Sequence, residues 1–104
     1  MTITFAYSAD AQRMLDEADE RWIAEHGYAE DNPLFGQIER ARDLLLDNPD
    51  MGIEVQHHGR LRSVVRRLLL GSGWHLYYRF HAQQQLIEIL AVWFASRGGG
   101  PPLY

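Results

Sequence analysis

Residues 74–81 read Trp74-His75-Leu76-Tyr77-Tyr78-Arg79-Phe80-His81. Trp74, Leu76, Tyr78 and Phe80 fall on one side of a two-residue period, and His75, Tyr77, Arg79 and His81 on the other, which predicts a strand with its first set in a core. Leu86 to Trp93 is apolar on both faces and predicts a strand inside a sheet. It needs neighbours on two sides, taken from the N-terminal strand or the strand over Leu61–Leu70. Gly71-Ser72-Gly73 supplies the turn between that strand and Trp74. A three-residue turn pairs Leu70 with Trp74 and sets Arg67 opposite Tyr77. A two- or four-residue turn shifts the register by one and brings Arg66 to that face instead. Ile53 to His57 forms a short edge strand ahead of Gly59.

Before residue 53 the period is 3.6 rather than 2. Thr2 to Tyr7 is a short β-branched and aromatic strand, after which Ser8 can cap a helix and Asp10 suits its positive end. Ala11, Met14, Leu15, Ala18, Trp22 and Ile23 make one apolar stripe, and Gly27 stops the helix. A second helix opens at Asp31-Asn32-Pro33, carries Leu34, Phe35, Ile38, Ala41 and Leu45 on its inner face with Leu44 as a further candidate, and ends at Asn48-Pro49. Gly36 costs that helix about 1 kcal/mol relative to Ala, which close approach of the two helices would explain. The expected fold class is α+β: an N-terminal strand, an antiparallel α-hairpin, then a three- to four-stranded antiparallel sheet. The helices cover one sheet face and leave the other for function. Residues 1–104 make a single domain, with an irregular tail over 96–104.

Composition narrows the function classes. The 104 residues are 46% hydrophobic and 23% charged, as in ordinary globular domains, and contain no cysteine. Disulfide scaffolds and thiolate metal sites are excluded, and a reducing cytoplasm suits the chain. No apolar run reaches the ~18 residues of a membrane helix. All ten basic residues are Arg. Residues 1–52 hold 12 acidic and 4 basic side chains, and residues 53–104 hold 2 acidic and 6 basic. A helical half at −8 and a sheet half at +4 direct an anionic partner to the sheet.

One Arg of the Arg66-Arg67 pair joins Arg79, Tyr77 and His75 on the outer sheet face. Such a patch suits a polar outer surface with cross-strand stacking, a phosphate or nucleic-acid surface, or a protein interface. His57-His58 points to opposite faces of a strand and has no third ligand at metal-binding spacing, so neither a metal nor another cofactor is expected. Nucleophile elbows, phosphate-binding loops and dinucleotide fingerprints are missing.

The chain resembles the RelE/ParE superfamily of toxins from bacterial type II toxin–antitoxin modules, and within it the ParE-like branch. The resemblance runs through Ala41-x-x-x-Leu45-x-x-x-Pro49-x-x-Gly52, Val65-Arg66-Arg67-Leu68-Leu69-Leu70 and residues 74–80. It continues through Ile87-x-Ile89-Leu90-Ala91-Val92-Trp93 and Arg97-Gly98-x-Gly100-Pro101-x-Leu103. It implies a cytoplasmic toxin of a plasmid-stabilisation module that inhibits DNA gyrase and arrests growth until an acidic-tailed antitoxin neutralises it. It also implies a homodimer or a toxin–antitoxin hetero-oligomer. Arg66, Arg67, His75, Tyr77, Arg79, Trp93 and Arg97 are then the residues that meet target or antitoxin. The alternative is a RelE-like, ribosome-dependent mRNA endoribonuclease using His75, His81, Arg79 and Arg97, with Tyr104 as a possible C-terminal element. Three departures bear on the choice: Leu70 stands where nuclease members carry Arg before the turn, Lys is absent, and Phe94 replaces the His that often follows the Trp in ParE-like chains. An acidic antitoxin segment is expected to set its carboxylates against Arg67 or Arg66 and Arg79.

Overall fold

The computed structural model describes residues 2–56 and 63–103, with the side chain of Arg97 outside that description. The chain runs through β1 (Thr4–Tyr7), α1 (Ala9–His26), α2 (Pro33–Asp47), β2 (Ile53–Val55), β3 (Val65–Leu69), β4 (Trp74–His81) and β5 (Leu86–Phe94). Single 3-10 turns occupy Gly71–Gly73 and Ala95–Arg97. His57, His58, Arg60, Leu61, Arg62 and Tyr104 lie outside the described residues, as does the first part of the expected Leu61–Leu70 strand. Within the described part that strand begins at Val65, and the edge strand expected over Ile53–His57 ends at Val55.

The helix signals act as their chemistry requires. Ser8 Oγ accepts from Ala11 N at 3.1 Å, and Asn32 Oδ1 accepts from Leu34 N at 3.0 Å with Pro33 in the first turn. Ala11, Met14 and Leu15 of α1 and Leu34, Ile38, Ala41 and Leu45 of α2 are buried. The connection over 27–32 is tied down by Trp22 Nε1, which donates to Glu30 O at 3.2 Å, while the Trp22 ring stacks on His26 at 3.7 Å. Gly36 is no close-approach site. A Cβ there would meet Arg40 Nη1 at an ordinary 3.6 Å and no atom of α1 within 4 Å.

The sheet has five strands in the order β1-β5-β4-β3-β2. The expectation of three or four antiparallel strands is thereby extended: β1 also joins, parallel to β5, with Thr4 opposite Leu86 and Tyr7 opposite Ile89. β1 supplies the second neighbour that the two-sided apolar run of β5 requires. Because α1 and α2 intervene, β1 need not return as a hairpin, so a parallel pairing is open to it. On the helix side, Leu76, Tyr78, Ile87, Ile89 and Val92 pack with the buried stripes of both helices.

The Gly71–Gly73 turn decides the register that the sequence leaves open. Leu70 N donates to Trp74 O at 2.8 Å, Leu69 pairs with His75, and Arg67 pairs with Tyr77. Between β4 and β5 the register slips: Tyr77 faces Ala91 and Tyr78 faces Ile89, leaving Leu90 as the extra residue of a bulge. Leu90 and Ala91 therefore both join a second apolar cluster, with Met14, Val65, Tyr77 and Leu103. This corrects the expectation of an open outer face. Pro101 and Leu103, from the segment expected to be an irregular tail, are buried, and Leu103 covers part of the face that the helices do not. A β5 that is apolar on both sides demands cover on both sides.

Candidate functional site

The face away from the helices carries Arg67 and Leu69 from β3, His75, Tyr77, Arg79 and His81 from β4, and Glu88, Ala91 and Trp93 from β5. Strand alternation and register place them there: Leu69–His75–Trp93, Arg67–Tyr77–Ala91 and Arg79–Glu88 form successive cross-strand rows. Tyr77 is only 7% exposed, so it is a floor for this face rather than a free ring. Leu69, at 69%, is an exposed aliphatic group beside it.

The face divides into two parts with different electrostatics. At one end, Glu88 Oε1 accepts from Arg79 Nε at 2.6 Å and lies 3.0 Å from His81 Nε2. Arg79 Nη1 also donates to Ser63 Oγ at 3.2 Å. Partial burial works to raise the Glu88 pKa, but the hydrogen bonds from His81 and Arg79 and the positive charges outweigh it and hold the carboxyl below its ordinary value. Arg79 is therefore a partly neutralised member of an internal cluster.

At the other end, Arg67 stands opposite Tyr77, and among the described residues no hydrogen bond or ion pair engages its guanidinium. His75 sits one row away, its ring 6.4 Å from that of Tyr77. Desolvation and then the Arg67 charge hold the His75 pKa below 6.5, so the imidazole is neutral at pH 7. Trp93 lies beside His75 in the adjoining strand and packs on the second apolar cluster.

Other expected site residues are placed elsewhere. Arg66 points to the helix side, where Nη1 donates to Gly52 O at 2.8 Å and the guanidinium approaches Glu54 at 3.4 Å and Asp50 at 3.8 Å. Its cross-strand partner Tyr78 donates to Pro49 O at 2.7 Å and accepts from Gly52 N at 2.9 Å. Gly52 has no room for a side chain, since a Cβ would lie 2.7 Å from Tyr78 Oη. Arg66 and Tyr78 thus latch the α2–β2 connection to the sheet. The backbone of Arg97 closes the 3-10 turn after β5, and its side chain lies outside the described residues. His75 and His81 share a face but are six residues apart on one strand, about 20 Å at ~3.3 Å per residue. The fold does not bring them to one scissile bond.

Glu88 and Ser63 are participants to which the sequence reading gave no site role, and Leu103 entered it only as the last residue of the resemblance motif. Glu88 had a signal: it is the single charge in an otherwise apolar strand and one of two carboxylates in residues 53–104. Ser63 had none, since it acts through a neighbour remote in sequence, and the motif that ends at Leu103 did not say what that side chain packs against.

A helical pair on one side of a mixed sheet, with a cationic and aromatic outer face, defines the class of protein by its architecture. Among solved structures the chain is similar to one from "Chromosomal ParDE TA system from P. aeruginosa", with a TM-score of 0.63 and 16% identity. The match covers 88% of this chain and 94% of that one. No family model matches the sequence, and no curated protein matches it. The fold is the ParE-like one that the resemblance implies. Among the described residues no helix is long and apolar enough to cross a membrane.

Proposed function

We propose that this chain is the toxin of a type II toxin–antitoxin module, of the ParE-like kind, acting on DNA gyrase through protein contacts and neutralised by an acidic antitoxin. The observation that carries the reading is the outer sheet face: an Arg67 unengaged among the described residues, beside the buried Tyr77 ring and neutral His75, on a fold like that of a chain in a ParDE system. Arg and Tyr are favoured anchors of protein interfaces, and a guanidinium that is unengaged among the described residues on such a face suits a partner carboxylate.

Chemical catalysis has less support from the same residues. RNA cleavage needs a base, an acid and a cation around one phosphate. Here His81 and Arg79 share Glu88 as acceptor, and His75 lies far along the strand. The proposal therefore assigns target or antitoxin contact to Arg67, His75, Tyr77 and Trp93, with Arg79 at the edge of the surface and Arg97 included on the resemblance alone.

Purified protein added to a gyrase supercoiling assay tests the reading. Inhibition that is reversed by the product of the adjoining small reading frame is the expected result. Normal supercoiling at large excess of the chain, together with new mRNA ends at ribosomal A-sites after induction, would replace the proposal with the endoribonuclease alternative.

A further inference from the structure

Residues 98–103 cross the outer sheet face under unusual conditions. Pro101 and Leu103 are buried, and Leu103 belongs to the cluster that Val65, Tyr77, Leu90 and Ala91 form together with Met14 of α1. Gly98 and Gly99, which lead into this crossing, have φ of 73° and 59° and are exposed. Gly98 combines its positive φ with ψ 148°, a conformation that residues with a Cβ avoid. A Cβ on either glycine would meet nothing within 4 Å, so what their lack of a side chain provides is backbone freedom and not a close fit. Among the described residues, no hydrogen bond or ion pair ties 98–103 to the sheet. Apolar contact through two side chains is opposed by the ordering of three glycines. The closed arrangement is correspondingly easy to displace.

We propose that residues 98–103 are a hinged strap, and that the slot filled in cis by Leu103 is the seat for an extended, acidic partner segment bearing a branched aliphatic side chain. The aliphatic requirement comes from the apolar cluster that Leu103 joins, which includes Val65, Tyr77 and Ala91. Extension is required because the strap that fits has no helix or strand after residue 97, and Pro101 and Pro102 hold it open. The acidic requirement comes from Arg67, which stands beside the slot in register with Tyr77 and is unengaged among the described residues. The −8 balance of the helical half turns the same segment away from the other side of the molecule. Identifying that partner with an antitoxin rests on the reading above, whereas the strap and its slot do not.

Gly98→Ala separates the strap from the slot. It penalises the closed backbone, leaves Leu103 and the slot walls in place, and creates no clash. The probes are two synthetic peptides, a copy of residues 98–104 and a version whose first two residues are Asp. Both are titrated into the full-length wild type and the Gly98→Ala protein while amide signals of Val65, Tyr77 and Ala91 are followed. The acidic peptide should bind the Gly98→Ala protein at least tenfold more tightly than the wild type, because the cis competitor is removed. It should also bind better than the neutral copy, and Arg67→Ala should abolish that preference. Leu103→Ala, in the full chain, should raise protease cleavage within 98–103 tenfold or more while the thermal midpoint stays close to that of the wild type. Equal peptide affinity for wild type and Gly98→Ala, or absence of binding to both, would overturn the proposal. So would a fall in the thermal midpoint of Leu103→Ala as large as that of a core Leu truncation. None of these readouts involves gyrase or an antitoxin, so failure of the toxin reading would leave them unchanged.

Discussion

Arg66 and Tyr78 on the helix side of the sheet, and Arg67 and Tyr77 on the outer side, are the same two residue types in the same cross-strand pairing one position apart. On the helix side both are engaged. Tyr78 is fully buried with its hydroxyl bonded to Pro49 O and Gly52 N, and Arg66 holds Gly52 O. On the outer side neither makes a hydrogen bond among the described residues, and Tyr77 shares an apolar cluster with Leu103. Identical chemistry thus serves structure on one face and, among the described residues, is left without a polar partner on the other. What separates them is the neighbourhood: the α2–β2 connection brings backbone acceptors to one side, and among the described residues nothing comparable reaches the other.

Exchanging the roles of the two Arg residues is the strongest way to break this contrast. Arg67→Ala should leave stability within about 0.5 kcal/mol of wild type. It should weaken an acidic partner by about 2–5 kcal/mol where the Arg–carboxylate pair is desolvated. Arg66→Ala should do the reverse, costing about 1–2 kcal/mol of stability through the lost charge-assisted bond to Gly52 O, with little change in binding. Urea unfolding and titration calorimetry on the two variants read both quantities. Comparable binding losses for both would mean that the partner straddles the sheet edge rather than seating on the outer face.

The tyrosines give the second test. Tyr78→Phe strands Gly52 N and Pro49 O without their partner and should cost about 1–3 kcal/mol in urea unfolding. Tyr77→Phe removes a hydroxyl with no bonded partner among the described residues and should change stability by less than about 0.5 kcal/mol. Gly36→Ala, placed where a Cβ fits, should stabilise α2 by about 0.5–1 kcal/mol and leave binding at both faces unaffected. A loss of stability there would restore the idea that the two helices need the glycine to approach.

The smallest expected effect is a pH dependence from the outer face. His75 has a folded pKa below its ordinary 6.5, so the unfolded chain binds more protons just below that pH and stability falls as the medium is acidified through it. His75→Asn should flatten the stability curve in that window. Because the Arg67 charge is the second cause of the shift, after desolvation, Arg67→Ala should move the His75 titration up in an NMR experiment. An unmoved titration would show that the two side chains do not face one another across the strands.

The helices, their caps, the alternation of β4 and the interior position of β5 were legible because each is set by spacing within a short window. Ser8, Asn32 and Pro33 act on the turn that follows them, and the period of 2 along Trp74–His81 assigns faces without reference to the rest of the chain. The charge split between the halves was equally plain, and with it the side of the molecule suited to an anionic partner. Which Arg serves that side was not legible. It depended on the length of one turn, and Val64-Val65 and Leu68-Leu69-Leu70 are apolar in either register. The commitment of Arg79 and His81 to Glu88, the latch of Tyr78 on Pro49 and Gly52, and the seating of Leu103 against Val65 and Ala91 were decided by tertiary structure alone. Each joins groups from different elements, and no local period encodes which distant backbone or side chain a polar group will meet once the sheet has formed.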